Sequence, residues 1–219
     1  MSVLTYNPGI FRAPTLDTAK RIILTEERGC TTESRWMAET PYLADLIAHQ
    51  LGPTPGSLIL DYGCGIGRLA KALIELCGCH VIGVDISPEM RALAVQYVDS
   101  KNFSVVSPEV FQWRVDTGLR VDGAFAVWVL QHCYEPANDA DLINRSLRDN
   151  GRVALVNSRH RVVPTTEVVW AQDGKDVRDI MHQRFEPLEE GLLDETAVGA
   201  SVSSCSFWAS YGRRSVIEI

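Results

Sequence analysis

The stretch Leu58-Ile-Leu-Asp-Tyr-Gly-Cys-Gly-Ile-Gly67 constrains the fold of this chain more than any other. An apolar run of strand character (Leu58, Ile59, Leu60) meets Asp61. Three glycines follow at intervals of two, and then Leu69, Leu73 and Leu76 recur at helical spacing. The pattern reads as a strand, a tight turn and a helix. Glycines lack Cβ, so they take positive φ and let backbone lie against a ligand, while the next helix offers unpaired N–H groups to an anion. A nucleotide-like ligand suits such a turn. The dinucleotide fingerprint G-x-G-x-x-G does not fit well. Counted from Gly63, its last position is Arg68, and the third glycine arrives one residue early, at Gly67.

The 219 residues most simply form one domain with a short appendage, long enough to bury a sizeable core. Hydrophobic content of 46% with 22% charged residues is ordinary for a globular chain and argues against disorder. Apolar segments such as Ala124 to Leu130 are too short to cross a bilayer, and the N-terminus lacks a basic region followed by an apolar run. The expectation is a cytoplasmic protein. A net charge of −7 argues against broad attraction to nucleic acid. None of the six cysteines forms a C-x-x-C pair, which disfavours a disulfide framework. Cys77-Gly-Cys79-His80 lacks a second ligand pair and reads as core packing rather than a metal site.

In chain order, a short helix is expected over Leu16 to Leu24, and a longer one over Trp36 to Leu51. For the latter, Thr40 is the candidate cap and Pro41 the first helical residue, with Gly52-Pro53 as the stop. His80-Val-Ile-Gly-Val-Asp85 reads as a second strand closing on a carboxylate 18 residues beyond Gly67. An acid at that distance can accept both ribose hydroxyl hydrogens. Ser87, Pro88 and Glu89 announce the next helix, whose buried face includes Met90 and Ala94. A third strand is read at Phe103 to Val106, a fourth at Val121 to Val129 and a fifth at Arg152 to Asn157, the last preceded by a helix over Asp139 to Leu147. The remainder reads as a helix near Asp176 to Arg184, a strand at Phe185 to Leu193, a Gly/Ser/Ala-rich connection and a final strand at Cys205 to Tyr211.

Asp61-x-Gly63-x-Gly65-x-Gly67 resembles motif I of the class I S-adenosylmethionine-dependent methyltransferases. Val129-Leu-Gln-His132 resembles the end of their motif IV, and Leu147-Arg-Asp-Asn-Gly-Arg-Val153 the turn before their fifth strand. The resemblance spans about residues 36 to 219. It implies a doubly wound, Rossmann-like α/β fold with a mostly parallel seven-stranded sheet and one reversed strand, built from residues 53–219. Residues 1–52 would form an N-terminal helical lid.

The same resemblance implies S-adenosylmethionine as cofactor. Asp61 or its loop would fix the amino group of the methionine part, and Gly63, Cys64, Gly65 and Gly67 would lie against it. Ile86 and Met90 would border the adenine, and Val127 would touch the cofactor. Family members often place Asp where this chain has Ser107, so the adenine contact departs from the pattern. Tyr6, Trp36 and Thr40 are candidate lid contacts, with Trp36 equally readable as a packing anchor. His132 is the first candidate base and His160 the second, although a backbone or cofactor hydrogen bond would explain His132 as well. Arg159, His160 and Arg161 read either as an anion-holding cluster or as a solvated loop.

The expected activity is methyl transfer to an O or N atom of a small-molecule acceptor. A non-catalytic S-adenosylmethionine-binding module or partner subunit is the alternative, and a nicotinamide oxidoreductase the third reading.

Overall fold

The computed structural model describes residues 5–27 and 29–214. A 3-10 turn over Pro8–Phe11 leads into α1 (Leu16–Ile23) and α2 (Thr32–Leu51). Strands and helices then alternate: β1 (Leu58–Tyr62), α3 (Arg68–Cys77), β2 (His80–Val84), α4 (Pro88–Val98), β3 (Phe103–Val106), α5 (Pro108–Asp116), β4 (Val121–Val127), α6 (Pro136–Ser146) and β5 (Leu147–Ser158). A two-stranded ribbon follows, β6 (Val163–Pro164) with β7 (Trp170–Ala171). The chain continues through α7 (Val177–Arg184), β8 (Phe185–Gly191), the short α8 (Glu195–Val198) and α9 (Ala200–Cys205), and β9 (Ser206–Arg213).

The main sheet has seven strands in the order β3-β2-β1-β4-β5-β9-β8. The pairs from β3 across to β5 are parallel, and β9 runs antiparallel to both β5 and β8. One reversed strand in a doubly wound sheet is the architecture expected. Its cause is visible in the pattern of residues. Strand side chains alternate between faces, and both faces here are covered, so β1 and β4 are apolar throughout their centres. Ile59 and Phe125 pack with Leu43 and Ile47 of α2 and Leu69 and Leu73 of α3. Leu60, Ala124 and Ala126 pack on the other face with Phe111, Ile143 and Met181 from α5, α6 and α7. Phe125 is fully buried, and a side chain of that size contributes roughly 1.5–3 kcal/mol when removed from water. A third cluster joins Ala19 and Leu24 of the N-terminal segment to Trp36, Ile66 and Met90.

Several expected boundaries move. Helix α2 begins at Thr32, with Thr31 as its cap: the Thr31 side chain accepts from the Ser34 N–H. Thr40 therefore does not cap, and Pro41 lies inside the helix. The helix tolerates it because Pro41 and Met37, whose carbonyl forfeits a donor, lie on the exposed face where water replaces the bond. Thr40 instead donates to the Trp36 carbonyl at 2.5 Å.

Strand β4 ends at Val127 rather than Val129, because Trp128 turns left-handed with φ +54°. The expected turn before the fifth strand is a bulge within β5. Leu147 pairs with Val121 and Arg152 with Gly123, so the β5 segment carries the extra residues. Gly151 sits in the bulge, where an added Cβ would meet Leu147 Cβ at 2.9 Å. The late connection folds into α8 and α9, and Cys205 ends α9 instead of opening the last strand.

Removing the true cap tests the revised start of α2. Thr31→Ala is expected to lower stability in chemical denaturation by about 1 kcal/mol, the usual worth of a threonine cap.

Candidate active site

The carboxyl ends of β1, β2 and β4 converge on the glycine loop. Gly63, Gly65 and Gly67 all take left-handed φ (+75°, +54° and +76°), and Gly67 is the cap residue of α3. The Gly63 and Cys64 N–H groups both donate to the Val84 carbonyl, at 2.7 and 2.9 Å, which ties the loop to the end of β2. Close packing also requires the glycines. A Cβ on Gly63 would sit 2.3 Å from Val129 Cγ2, and one on Gly65 would sit 2.8 Å from Ile23 Cδ1 of α1.

Asp85 follows β2 and holds the loop from the other side. Its Oδ2 accepts from the Gly65 N–H and its Oδ1 from the Ser87 N–H, each at 2.8 Å. Each oxygen keeps a further lone-pair direction. Burial raises the Asp85 pKa, against the pull of those two backbone bonds and of Arg91. Ile86 is exposed and Met90 buried beside it. Ser107 caps α5 by accepting from the Val110 N–H at 3.4 Å, so its hydroxyl already has a structural duty.

Asp61 shares the parity of Ile59 and therefore faces α2 and α3. It is 4% exposed, and its Oδ2 has no hydrogen-bond partner among the described residues. Burial pushes its pKa well above the usual carboxylate range, and the Asp85 charge adds to this. Arg68 opposes the shift and is itself buried, its guanidinium stacked 5.3 Å from the Trp36 ring and its pKa lowered to about 10 by desolvation. Arg68 Nη1 donates to Thr40 Oγ1 at 3.4 Å. Farther along α2, Arg35 Nε donates to Glu39 Oε1 at 2.6 Å, leaving Glu39 Oε2 unpartnered among the described residues. Trp36 is 6% exposed and donates to the Tyr97 hydroxyl, which makes it a packing anchor. The helical spacing 35-36-39-40 puts these residues on one face of α2, a signal already in the sequence once α2 is extended to Thr32.

The end of β4 brings a second group together. His132 Nδ1 lies 2.8 Å from the Val162 carbonyl, which only accepts, so Nδ1 carries the proton and Nε2 the lone pair. Gln131 Oε1 accepts from the Ser158 N–H at 2.7 Å, which turns its amide nitrogen toward His132 Nε2 at 3.2 Å. Burial lowers the His132 pKa despite the Val162 bond, and the Arg161 charge lowers it further. The imidazole is flanked by Phe11 and Trp170, with ring centroids at 6.1 and 5.0 Å. Tyr6 packs on Tyr134 at 5.5 Å and bridges to Thr165. The N-terminal segment and the β6-β7 ribbon thus enclose His132 together. Beneath it, Tyr62 donates to Asp139 at 2.5 Å.

The Arg159-His160-Arg161 segment divides. Arg159 and His160 are exposed, whereas Arg161 is buried, paired with Asp173 at 2.9 Å and donating to the Leu130 and Tyr134 carbonyls. The solvated-loop reading therefore fails for Arg161, which clamps the ribbon to the end of β4. Nothing local in the sequence marks Asp173, 12 residues away, as its partner. For Trp128, its position inside an unbroken apolar run hides the left-handed turn that brings it between the Ile59–Phe125 cluster under α2 and α3 and the cluster of the N-terminal segment.

Residues 60–155 match the family model described as "Methyltransferase domain". These residues, somewhat under half of the chain, are similar to the class I S-adenosylmethionine-dependent methyltransferase family. S-adenosylmethionine is the cofactor of that family, and the residues present fit it. A buried carboxylate oxygen without a donor, beside a loop of left-handed glycines, suits the ammonium of the cofactor's amino acid part.

Among curated relatives, 106 residues are 29% identical to phosphoethanolamine N-methyltransferase 2 of Caenorhabditis elegans, covering 46% of this chain and 24% of that protein. A further 121 residues are 27% identical to an O-methyltransferase of Aspergillus nomiae, covering 54% of each. A sterol 24-C-methyltransferase of Schizosaccharomyces pombe is 41% identical over 56 residues, 26% of this chain and 15% of that one. The matches thus span about half the length of these relatives or less. Geranyl diphosphate C-methyltransferase of Streptomyces coelicolor superposes with a TM-score of 0.62 over 98% of this chain and 91% of that one at 15% identity, which is a likeness of fold.

The buried charge of Asp61 makes opposite demands on stability and binding. Its raised pKa means that the fold favours the protonated acid, so stability present below pH about 4 is lost as pH rises through the folded value. Asp61→Asn is expected to raise the melting temperature of the cofactor-free protein at pH 7, by roughly 2–4 °C per kcal/mol relieved, while weakening S-adenosylmethionine binding. Calorimetry with and without cofactor checks both signs.

Proposed function

We propose that this chain transfers the methyl group of S-adenosylmethionine to an O or N atom of a small-molecule acceptor. The observation that carries the reading is Asp61, a buried carboxylate with an unpartnered oxygen beside three left-handed glycines and Asp85. In this reading Asp61 takes the cofactor's ammonium, and Asp85 takes the ribose hydroxyls through its remaining lone pairs. The backbone of Gly63, Cys64, Gly65 and Gly67 lies against the ligand. Ile86, Met90 and Ser107 border the adenine, and Val127 lies on the cofactor side of β4. Thr40 and Trp36 act through Arg68, which they hold beside Asp61.

Bound S-adenosylmethionine supplies an activated sulfonium methyl group. The protein's own task is then alignment, since holding donor and acceptor in line removes much of the entropic barrier. A hydroxyl acceptor also needs its proton removed. His132 is the group proposed for this, because its tautomer leaves the lone pair on Nε2 and its depressed pKa keeps that nitrogen unprotonated below the ordinary imidazole range. The acceptor displaces the Gln131 amide from Nε2 when it binds. An amine acceptor arriving unprotonated needs no base, and His132 then serves as a hydrogen-bond acceptor that orients it.

Residues 1–52 are proposed as the lid, through contacts such as Ile23 on Gly65 and Phe11 on His132. The acceptor specificity belongs to the appended segments around His132. The relatives carry the names of C-, N- and O-methyltransferases, so the small-molecule O or N acceptor rests on the chain's acidic balance and on His132. Among the described residues no helix is long and apolar enough to cross a membrane, and a cytoplasmic location is part of the proposal.

Transfer from methyl-labelled S-adenosylmethionine into a cell extract, fractionated afterwards, is expected to label the small-molecule fraction. Label in protein or nucleic acid alone overturns the acceptor class. Binding without transfer to any fraction favours the non-catalytic module.

Asp85→Ala is expected to weaken cofactor affinity by at least about tenfold through loss of charge-assisted bonds; unchanged affinity removes the ribose assignment. His132→Ala is expected to lower kcat by roughly 10²–10⁴-fold with cofactor affinity unchanged. In the native enzyme the acid limb of kcat should fall below the ordinary imidazole value of about 6.5. A limb at or above that value, or equal loss of binding and turnover, removes His132 as base.

A further inference from the structure

At the opposite end of the sheet from the glycine loop lies a cavity of about 330 Å³, lined by His49, Gln50, Arg152, Leu188, Glu189 and Ser210. His49 and Gln50 end α2 just before β1 begins, and Arg152 pairs with Gly123 near the start of β4. The cavity therefore opens at the amino ends of the parallel strands, away from the cofactor loop. Its rim is shaped by a bulge in the edge strand β8, where Pro187 pairs with Tyr211 and Glu189 with Ser210, leaving Leu188 as the extra residue.

Gln50 makes this cavity more than a surface dent. The residue is 4% exposed, yet neither its Oε1 nor its Nε2 has a hydrogen-bond partner among the described residues. A buried amide without partners is costly, so the unpartnered Gln50 side chain points to something that satisfies it. An aliphatic side chain of similar volume would close the same packing without the penalty. The other polar groups of the cavity are unspent as well. Among the described residues Arg152 and Glu189 take part in no ion pair, and the side chains of His49 and Ser210 make no hydrogen bond. One guanidinium, one carboxylate and one two-sided amide thus line a space of small-ligand size.

We propose that this cavity binds a small zwitterion of the amino acid type. Arg152 takes the ligand carboxylate through charge-assisted bonds and Glu189 takes its ammonium. The Gln50 amide, a donor and an acceptor at once, bonds whatever polar group the ligand carries between them. A simple anion would leave Glu189 repelling it, and a simple cation would meet Arg152. Only a ligand of both signs uses the whole lining. The site is independent of the methyl-transfer reading, since none of its residues belongs to the cofactor loop or the His132 group.

The test uses the full chain saturated with S-adenosylhomocysteine, so that no amino acid is scored through the cofactor site. Each of the twenty free L-amino acids is screened by saturation-transfer NMR, and binders are titrated by calorimetry. At least one is expected to bind with an affinity that S-adenosylhomocysteine does not change. Its N-acetyl and carboxamide derivatives should bind about tenfold more weakly, as should the native ligand to Arg152→Ala and Glu189→Gln, one lost charge-assisted bond each. Both substitutions are of side chains at the rim, and unchanged melting temperatures confirm that the fold is intact. Gln50→Met, which keeps the volume, should abolish binding. No binding of any amino acid at about 10 mM, tenfold above a millimolar affinity, overturns the proposal. So does binding that S-adenosylhomocysteine displaces, or binding indifferent to Arg152 and Glu189.

Discussion

The Asp85 carboxylate is the interaction on which the glycine-loop end of this molecule depends. Taking a carboxylate out of water is costly unless it is met by hydrogen bonds. Here the two oxygens are met by the Gly65 and Ser87 N–H groups. One bond reaches back to the loop after β1, and the other reaches forward to the cap of α4. A single side chain thus sets the spacing between two adjacent crossovers at the point where the parallel strands end. The Val84 carbonyl completes the fastening by accepting from Gly63 and Cys64. The glycines are required on both sides of the loop, by their φ values and by the closeness of Val129 and Ile23.

Around that fastening the charges are arranged unevenly. Asp61 and Glu39 each keep a buried oxygen without a partner, and Arg68 lies between α2 and the loop with its charge held against the Trp36 face. Such half-satisfied networks cost stability, and they concentrate where ligands bind. On the other side of these strand ends, His132 is held by a directed chain. Ser158 donates to Gln131, Gln131 faces His132, and His132 donates to Val162. The chain fixes a tautomer and leaves little rotational freedom to the ring. Arg161 supports the arrangement from below by joining the β6-β7 ribbon to the end of β4.

The two ends of the sheet differ in kind. At the carboxyl ends the strands stop in loops that gather Asp61, Asp85 and the left-handed glycines, the place where open α/β sheets generally take ligands. At the amino ends the β8 bulge and the end of α2 leave the Gln50 cavity. The bulge matters because β8 is an edge strand. Pro187 and the acidic residues of Phe185–Gly191 oppose further strand pairing there, so the local space is free for a small ligand.

Much of this was legible in the amino-acid order, wherever local geometry follows from local residues. The Asp-Gly-Gly-Gly spacing of residues 61 to 67, the acid at 85 and the apolar runs of β1, β2 and β4 imply a strand, turn and helix repeated along a parallel sheet. The reversed last strand followed from the resemblance those motifs carry. Tertiary structure alone decided what depends on partners distant in sequence. The true start of α2 was obscured because Pro41 looked like a first helical residue, and only packing shows it on a solvent face that tolerates it. The Arg161–Asp173 pair, the His132 tautomer set by Val162 and the left-handed turn at Trp128 leave no periodic trace. The unpartnered state of Asp61 and Gln50 is the clearest case. A sequence states that a polar residue is present, but whether its hydrogen bonds are satisfied is settled only by what the fold brings within about 3 Å.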